Sequence, residues 1–230
     1  MSFVELIFRK VEYISKRLFV QHLLITISVS PLPIMYQIGV IIGSTRQPRV
    51  CPQISNFVIN TIEKSIFQMN EFKLKEIDLK DINLPLYDES GIPRSIVNAV
   101  NYDHDHTREW SKLISSLDGF IFISPQYNWG YPASLKNAID YLYHEWSNKP
   151  CMLVTYGGHG GIQCDAQLRV VFQGLKMRAS PTKVCITFPN HDFLQKASKG
   201  LNLSSSEINL LQHYENDIYN AFNEILVDLN

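Results

Sequence analysis

Three short stretches hold the residues with chemistry to offer. Gly43-Ser44-Thr45-Arg46-Gln47-Pro48-Arg49 combines hydroxyls, backbone N–H groups and two guanidiniums just ahead of a helical pattern. Each suits a dianionic phosphate: a helix N-terminus and free amides by position, arginine by its bidentate fork. The stretch is neither G-x-G-x-x-G nor a Walker A sequence, so it points to a mononucleotide phosphate before a dinucleotide or a P-loop triphosphate. In Ser124-Pro125-Gln126-Tyr127-Asn128-Trp129-Gly130-Tyr131-Pro132-Ala133, three large aromatics sit among proline, glycine and small residues. Rings of that size in a stiff loop should cover a flat ligand or a partner subunit. Tyr156-Gly157-Gly158-His159-Gly160-Gly161 has four glycines, which permit positive φ and close backbone approach. Read singly, each stretch also has a bland explanation: a solvated polar loop, an aromatic cap on a sheet, a loop histidine without duty.

The elements that position these stretches are legible in the apolar periodicity. Short apolar runs at Tyr36–Ile42, Phe72–Leu79, Gly119–Ser124, Cys151–Tyr156 and Thr182–Phe188 read as strands. Between them lie helical stripes: Ile54, Phe57, Val58, Ile62 and Ile66; Trp110, Leu113, Ile114 and Leu117; Leu135, Ala138, Ile139, Leu142 and Trp146; Leu168, Val171, Phe172 and Leu175. Ser204 and Glu207 have capping-box spacing, ahead of one closing helix carrying Ile208 to Ile225. Strand–helix alternation predicts an α/β, flavodoxin-like doubly wound sheet of five parallel strands with helices on both faces. Ligands of such sheets bind beyond the C-terminal strand ends. The three stretches follow the first, third and fourth strands, so the fold itself should bring them together.

Other constellations weigh less. His104-Asp105-His106 has no third histidine or cysteine nearby, so no metal is expected. There is no Gly-x-Ser-x-Gly nucleophile elbow. Asp78, Asp81, Asp88 and Glu89 lie beyond the second strand, away from where a phospho-acceptor pocket would sit.

The chain has 230 residues, room for one well-buried domain. Its formal net charge of -1 and lack of a basic tract argue against nucleic acid or anionic lipid as partners. Cys51, Cys151, Cys164 and Cys185 lack CxxC or zinc-finger spacing and read as free thiols of a reducing compartment. Residues 1–34 stand apart from a domain over 35–230. They carry Arg9, Lys10, Lys16 and Arg17 against Glu5 and Glu12, a local +2 that leaves -3 on the rest. The apolar run Leu18–Val29 is shorter than the roughly 20 residues that span a bilayer, so no membrane insertion is expected. Three readings stay open: a targeting segment of signal-peptide or mitochondrial type, an appended helix, or a leader ahead of a start at Met35.

Taken together, Gly-Ser-x-Arg-x-x-Arg over 43–49, Pro-Gln-Tyr-Asn-Trp-Gly-Tyr-Pro over 125–132 and Tyr-Gly-Gly-His-Gly-Gly over 156–161 resemble the NADPH-dependent FMN reductase family. Within it, they are most similar to the fungal FMN-dependent NAD(P)H:quinone reductases. The resemblance covers about residues 36–188. It implies FMN as cofactor and NADPH or NADH as co-substrate, with a hydride passing through flavin N5 to a quinone or another small acceptor. It implies that Ser44 and Arg46 hold the FMN phosphate, with Arg49 as the second guanidinium of the loop. Gln126, Tyr127, Asn128 and Trp129 would line the flavin and its phosphoribityl chain, and Tyr156 and Gly157 would border the isoalloxazine. No side chain is nominated as an essential acid or base, because the chemistry belongs to the flavin. Relatives of this kind imply a homodimer and a cytoplasmic location. Two alternatives remain: a flavodoxin-type electron carrier, or a redox-dependent FMN-binding scaffold without turnover.

Overall fold

The structure is a computed structural model that describes residues 35–65 and 72–230. The leader over 1–34 and Ile66 therefore lie outside the described residues. Strand β1 (Tyr36–Ile42) is followed by helix α1 (Cys51–Ser65), β2 (Phe72–Asp78) and a single-turn α2 (Leu79–Ile82). Two 3-10 turns precede α3 (Asp105–Ser115), β3 (Gly119–Pro125), α4 (Ala133–Asp140), β4 (Pro150–Gly157) and α5 (Ile162–Gly174). Two short strands, β5 (Arg178–Ala179) and β6 (Val184–Thr187), complete the sheet. The tail forms α6 (His191–Ser198), α7 (Ser205–Asn209), a 3-10 turn and α8 (Glu215–Leu229).

The strands run parallel in the order β2-β1-β3-β4, and both β5 and β6 pair with the outer edge of β4. The sheet therefore has six strands where five were expected. The fifth position is split because Pro181 has no N–H for the ladder. The chain bulges there: Ser180 still donates to Cys151 O at 2.7 Å, but Thr182 turns its N–H and hydroxyl to Glu224 at 3.2 and 2.7 Å.

Strand β3 is buried along its whole length, as a central strand covered on both faces must be. Its alternation divides the core. Ile121 and Ile123 face α1, α6 and α8, where Ile54, Val58, Phe193, Ile218 and Phe222 are buried. Phe120 and Phe122 face α3, α4 and α5, packing with Trp110, Trp146 and Phe172. Ring centroids of 4.6 Å for Phe122–Phe172 and 4.9 Å for Phe120–Trp146 mark a tight aromatic layer. Strand β2, at the edge, carries Lys73, Lys75 and Glu76 outward, which discourages pairing with another chain.

Two helices differ from the periodicity. The α4 stripe ends at Asp140, yet Leu142 and Trp146 remain buried, because the turns after α4 keep folding against the same layer. The expected single closing helix is broken into α7, a 3-10 turn and α8, although the Ser204–Glu207 capping box is present. No helix among the described residues is long and apolar enough to cross a membrane.

Candidate functional site

The register places the C-terminal ends of β1, β3 and β4 side by side: Ile42 pairs with Ile123, and Ser124 with Thr155. The loops leaving these ends meet above the sheet and are tied to one another. Gly43 N donates to Ile123 O at 2.9 Å, and Ser134 Oγ donates to Gly43 O at 3.0 Å. The fully buried Ser44 shares a 2.7 Å hydrogen bond with the Tyr127 hydroxyl, joining the first loop to the second. Gln126 joins the second to the third. Its Oε1 accepts from Gln163 N at 3.0 Å and Cys164 N at 3.4 Å, the second and third amides of α5. The residue at the N-cap of α5 is Gly161, which has no side chain for the task, so Gln126 caps the helix from another loop.

The second loop closes in a two-residue turn. Tyr127 N donates to Gly130 O at 2.8 Å and Gly130 N to Tyr127 O at 2.9 Å. Asn128 and Trp129 have φ of 44° and 72°, the positive pair of a type I′ turn. Asparagine tolerates this; a tryptophan there is strained, and it stays 66 % exposed. Gln167 holds the strained residue by donating from Nε2 to Trp129 O at 3.0 Å.

The glycines of the third loop serve different ends. Gly161, φ 71°, presses on the β4 end, where a Cβ would lie 2.8 Å from Thr155 Cβ. Gly157, φ 150°, has nothing within 4 Å of the Cβ position, so its face opens on free space. Among the described residues, the backbone N–H groups of Thr45, Arg46, Gln47, Asn128, Trp129, Gly158 and His159 meet no hydrogen-bond acceptor. Three loops tied by hydrogen bonds thus carry unpaired backbone donors, and one of them leaves open space at the Gly157 Cβ position, which fits an anionic, hydrogen-bonding ligand such as a flavin mononucleotide.

The sequence-predicted residues divide into two sets. Ser44, Arg46, Gln126, Tyr127, Asn128, Trp129 and Gly157 all lie on these three linked loops. Arg49 turns the other way: its guanidinium donates to both Asp78 carboxylate oxygens, at 2.7 and 2.5 Å, and to Ser44 O. It clips the first loop to the end of β2, and Asp78 is the partner that sequence reasoning set aside. Tyr156 is buried beneath the loops, its ring 5.8 Å from Phe188, in the core layer of α1. Burial first, then the neighbouring Cys51 thiol, holds its hydroxyl well above the ordinary phenol range. Burial likewise pushes the Cys51 thiol up to about 11. Both groups therefore stay protonated near neutral pH, and neither is a ready general base. His104 and His106 stack at 5.1 Å and lean on Asp88, a cluster outside the three loops.

This chain resembles known proteins along the same stretch. The model of the NADPH-dependent FMN reductase family matches residues 36–190. The chain is 50 % identical over 144 residues to the NAD(P)H-dependent FMN reductase LOT6 of Saccharomyces cerevisiae, covering 61 % of this chain and 75 % of that one. It is 44 % identical over 164 residues to an NAD(P)H-dependent FMN reductase of Schizosaccharomyces pombe, covering 71 % and 79 %. Among solved structures, an oxidoreductase from Corynebacterium diphtheriae superposes with a TM-score of 0.59 at 15 % identity, covering 85 % of this chain and 97 % of that one, a likeness of fold. The chain belongs to the NADPH-dependent FMN reductase family.

Proposed function

We propose that the three loops hold FMN and that the protein passes electrons from NAD(P)H to a quinone or another small acceptor. The observation that carries this reading is that unpaired amides from Thr45 to Gln47, at Asn128 and at Gly158 lie on loops tied together by Ser44–Tyr127 and by Gln126, with open space at the Cβ position of Gly157. Arg46 and the Thr45–Gln47 amides, in the loop ahead of α1, would hold the phosphate. Tyr127 acts through Ser44 to set the first loop, and Gln126 sets the third. Gly157 leaves room for a ring to lie against the backbone, and Trp129 offers a flat face to an acceptor. Bound there, FMN supplies two-electron carriage between NAD(P)H and the acceptor.

Membership of a reductase family favours turnover over a passive carrier or scaffold. A homodimer is supported by four exposed aliphatic residues on one segment: Leu86, Ile92, Val97 and Val100, each at least 70 % exposed. That segment is pinned to α4 by Tyr87 N donating to Asn137 Oδ1 at 2.9 Å. A cytoplasmic location is supported by four free thiols, three of them buried. The test is anaerobic. NADPH is expected to bleach the visible flavin band of FMN-loaded protein, and a quinone to restore it. Flavin-loaded protein that neither NADPH nor NADH reduces would return the carrier reading.

A further inference from the structure

Contacts converge on residues 46–53 from a segment far along the chain. The Arg46 guanidinium donates to Ser198 O at 2.7 Å and reaches Ala197 O at 3.5 Å. Gln53 accepts from Leu203 N at 2.7 Å and donates to Leu201 O at 3.1 Å. Between these ties lies Gly200, where a Cβ would sit 2.5 Å from both the Arg49 backbone N and Pro48 Cβ. Helix α6 ends there in a Schellman motif: Leu201 N donates to Lys196 O at 3.0 Å and Gly200 N to Ala197 O at 3.1 Å. The φ of 60° at Gly200 lets the chain turn back onto the loop with no side chain in between.

We infer that residues 197–203 form a brace that presets the first loop for a phosphorylated flavin, with Gly200 as the contact point and Ala197 and Ser198 as positioning residues for Arg46. This brace presupposes that residues 43–49 hold the FMN phosphate. It lies beyond the stretch matched by the family model, which ends at residue 190.

The physical case rests on pre-organisation. A free arginine side chain has about 2 kcal/mol of rotamer entropy to lose when it grips an anion. Anchoring Arg46 to two carbonyls removes part of that cost before the ligand arrives. A guanidinium has five N–H donors, so two can be committed to carbonyls while others remain for phosphate oxygens. The carbonyls belong to a helix C-terminus, whose partial negative charge suits a cation. Gly200 and the Gln53 clamp fix the height of the loop against that anchor.

The test titrates FMN and riboflavin into the flavin-free full chain and follows flavin fluorescence. Riboflavin carries the same ring without the phosphate. Gly200→Ala is expected to raise the FMN dissociation constant about tenfold, in line with the loss of one charge-assisted hydrogen bond, and to leave riboflavin within about twofold. Gln53→Ala, which cuts the clamp without a steric clash, should shift FMN in the same direction by less, and decides the matter if Gly200→Ala does not fold. Equal weakening of both flavins, or unchanged FMN affinity in folded variants, overturns the brace while the flavin reading stands. Wild-type protein that takes up neither flavin removes both.

Discussion

Gln126 offers a substitution series whose outcomes differ in sign. Its carbonyl oxygen caps the second and third amides of α5 from 37 residues away in sequence, one bond short and one long. Replacing it by leucine removes the cap and leaves those amides to solvent, at a cost of about 1 kcal/mol. Replacing it by glutamate keeps an acceptor and adds a negative charge at the positive end of the helix, a gain of about 0.5 kcal/mol. Repulsion from the acidic residue in the same turn is muted, because Asp165 is already paired with Arg169 at 3.0 Å. For a chain of this size each 1 kcal/mol moves the melting temperature by about 2–4 °C. Thermal melts of flavin-free protein near neutral pH should therefore rank Gln126→Glu at or above wild type, and Gln126→Leu below it. The same glutamate sits beside the proposed flavin seat and should weaken FMN binding through its charge. A Gln126→Leu variant that melts with wild type, or a Gln126→Glu variant that melts below it, would refute a capping role.

Three further outcomes follow from the geometry. Gly161→Ala should lower stability by about 3 kcal/mol, since positive φ and a clash with Thr155 act together. Gly157→Ala meets no atom but is strained at a φ of 150°, so it should lower the melting temperature by less than Gly161→Ala does and weaken FMN binding as well; calorimetry and flavin titration separate the two. Glu207 is drawn from 4.5 down to about 2, first by Lys196 and then by the Ser204 N–H and hydroxyl. A carboxyl lowered in the fold stabilises above 4.5 and loses that contribution as pH falls toward 2. Glu207→Gln should thus melt below wild type near neutral pH, with the gap closing across that window in melts run at stepped pH. Burial pushes the Cys51 and Cys164 thiols up to about 11 and about 12 and raises Cys151 further, while Cys185 is half-buried. A neutral thiol reagent should label Cys185 first in native protein and the others only on unfolding, as read by peptide mapping.

The sheet and the three loops were legible because their signals are local. Apolar runs mark buried strands, and glycine, proline and aromatic clusters mark the turns between them. What was not legible depends on partners distant in sequence. Nothing in the spacing of Arg49 shows that Asp78 waits at the end of β2, or that the Gln126 side-chain oxygen caps a helix end. Tyr156 closes its strand with a polar group, and only the packing of Cys51 and Phe188 shows that it lies inside. The strain at Trp129 follows from a turn whose closing bonds the residue types do not announce. The tail was read as one helix because its stripe is continuous; the break before Glu215 comes from packing. No element was expected between Phe188 and Ser204, so α6 and the glycine that ends it went unread, and the role of Gly200 against Pro48 is tertiary.

If FMN binds as proposed, exposed amides of three loops form one seat for it. Amide chemical shifts of isotope-labelled, flavin-free protein, followed as FMN is added, test it most directly. The largest changes should fall together on Thr45, Arg46, Gln47, Asn128, Trp129, Gly158 and His159. Changes confined to one loop or scattered elsewhere, or a spectrum that saturating FMN leaves unmoved, would contradict it.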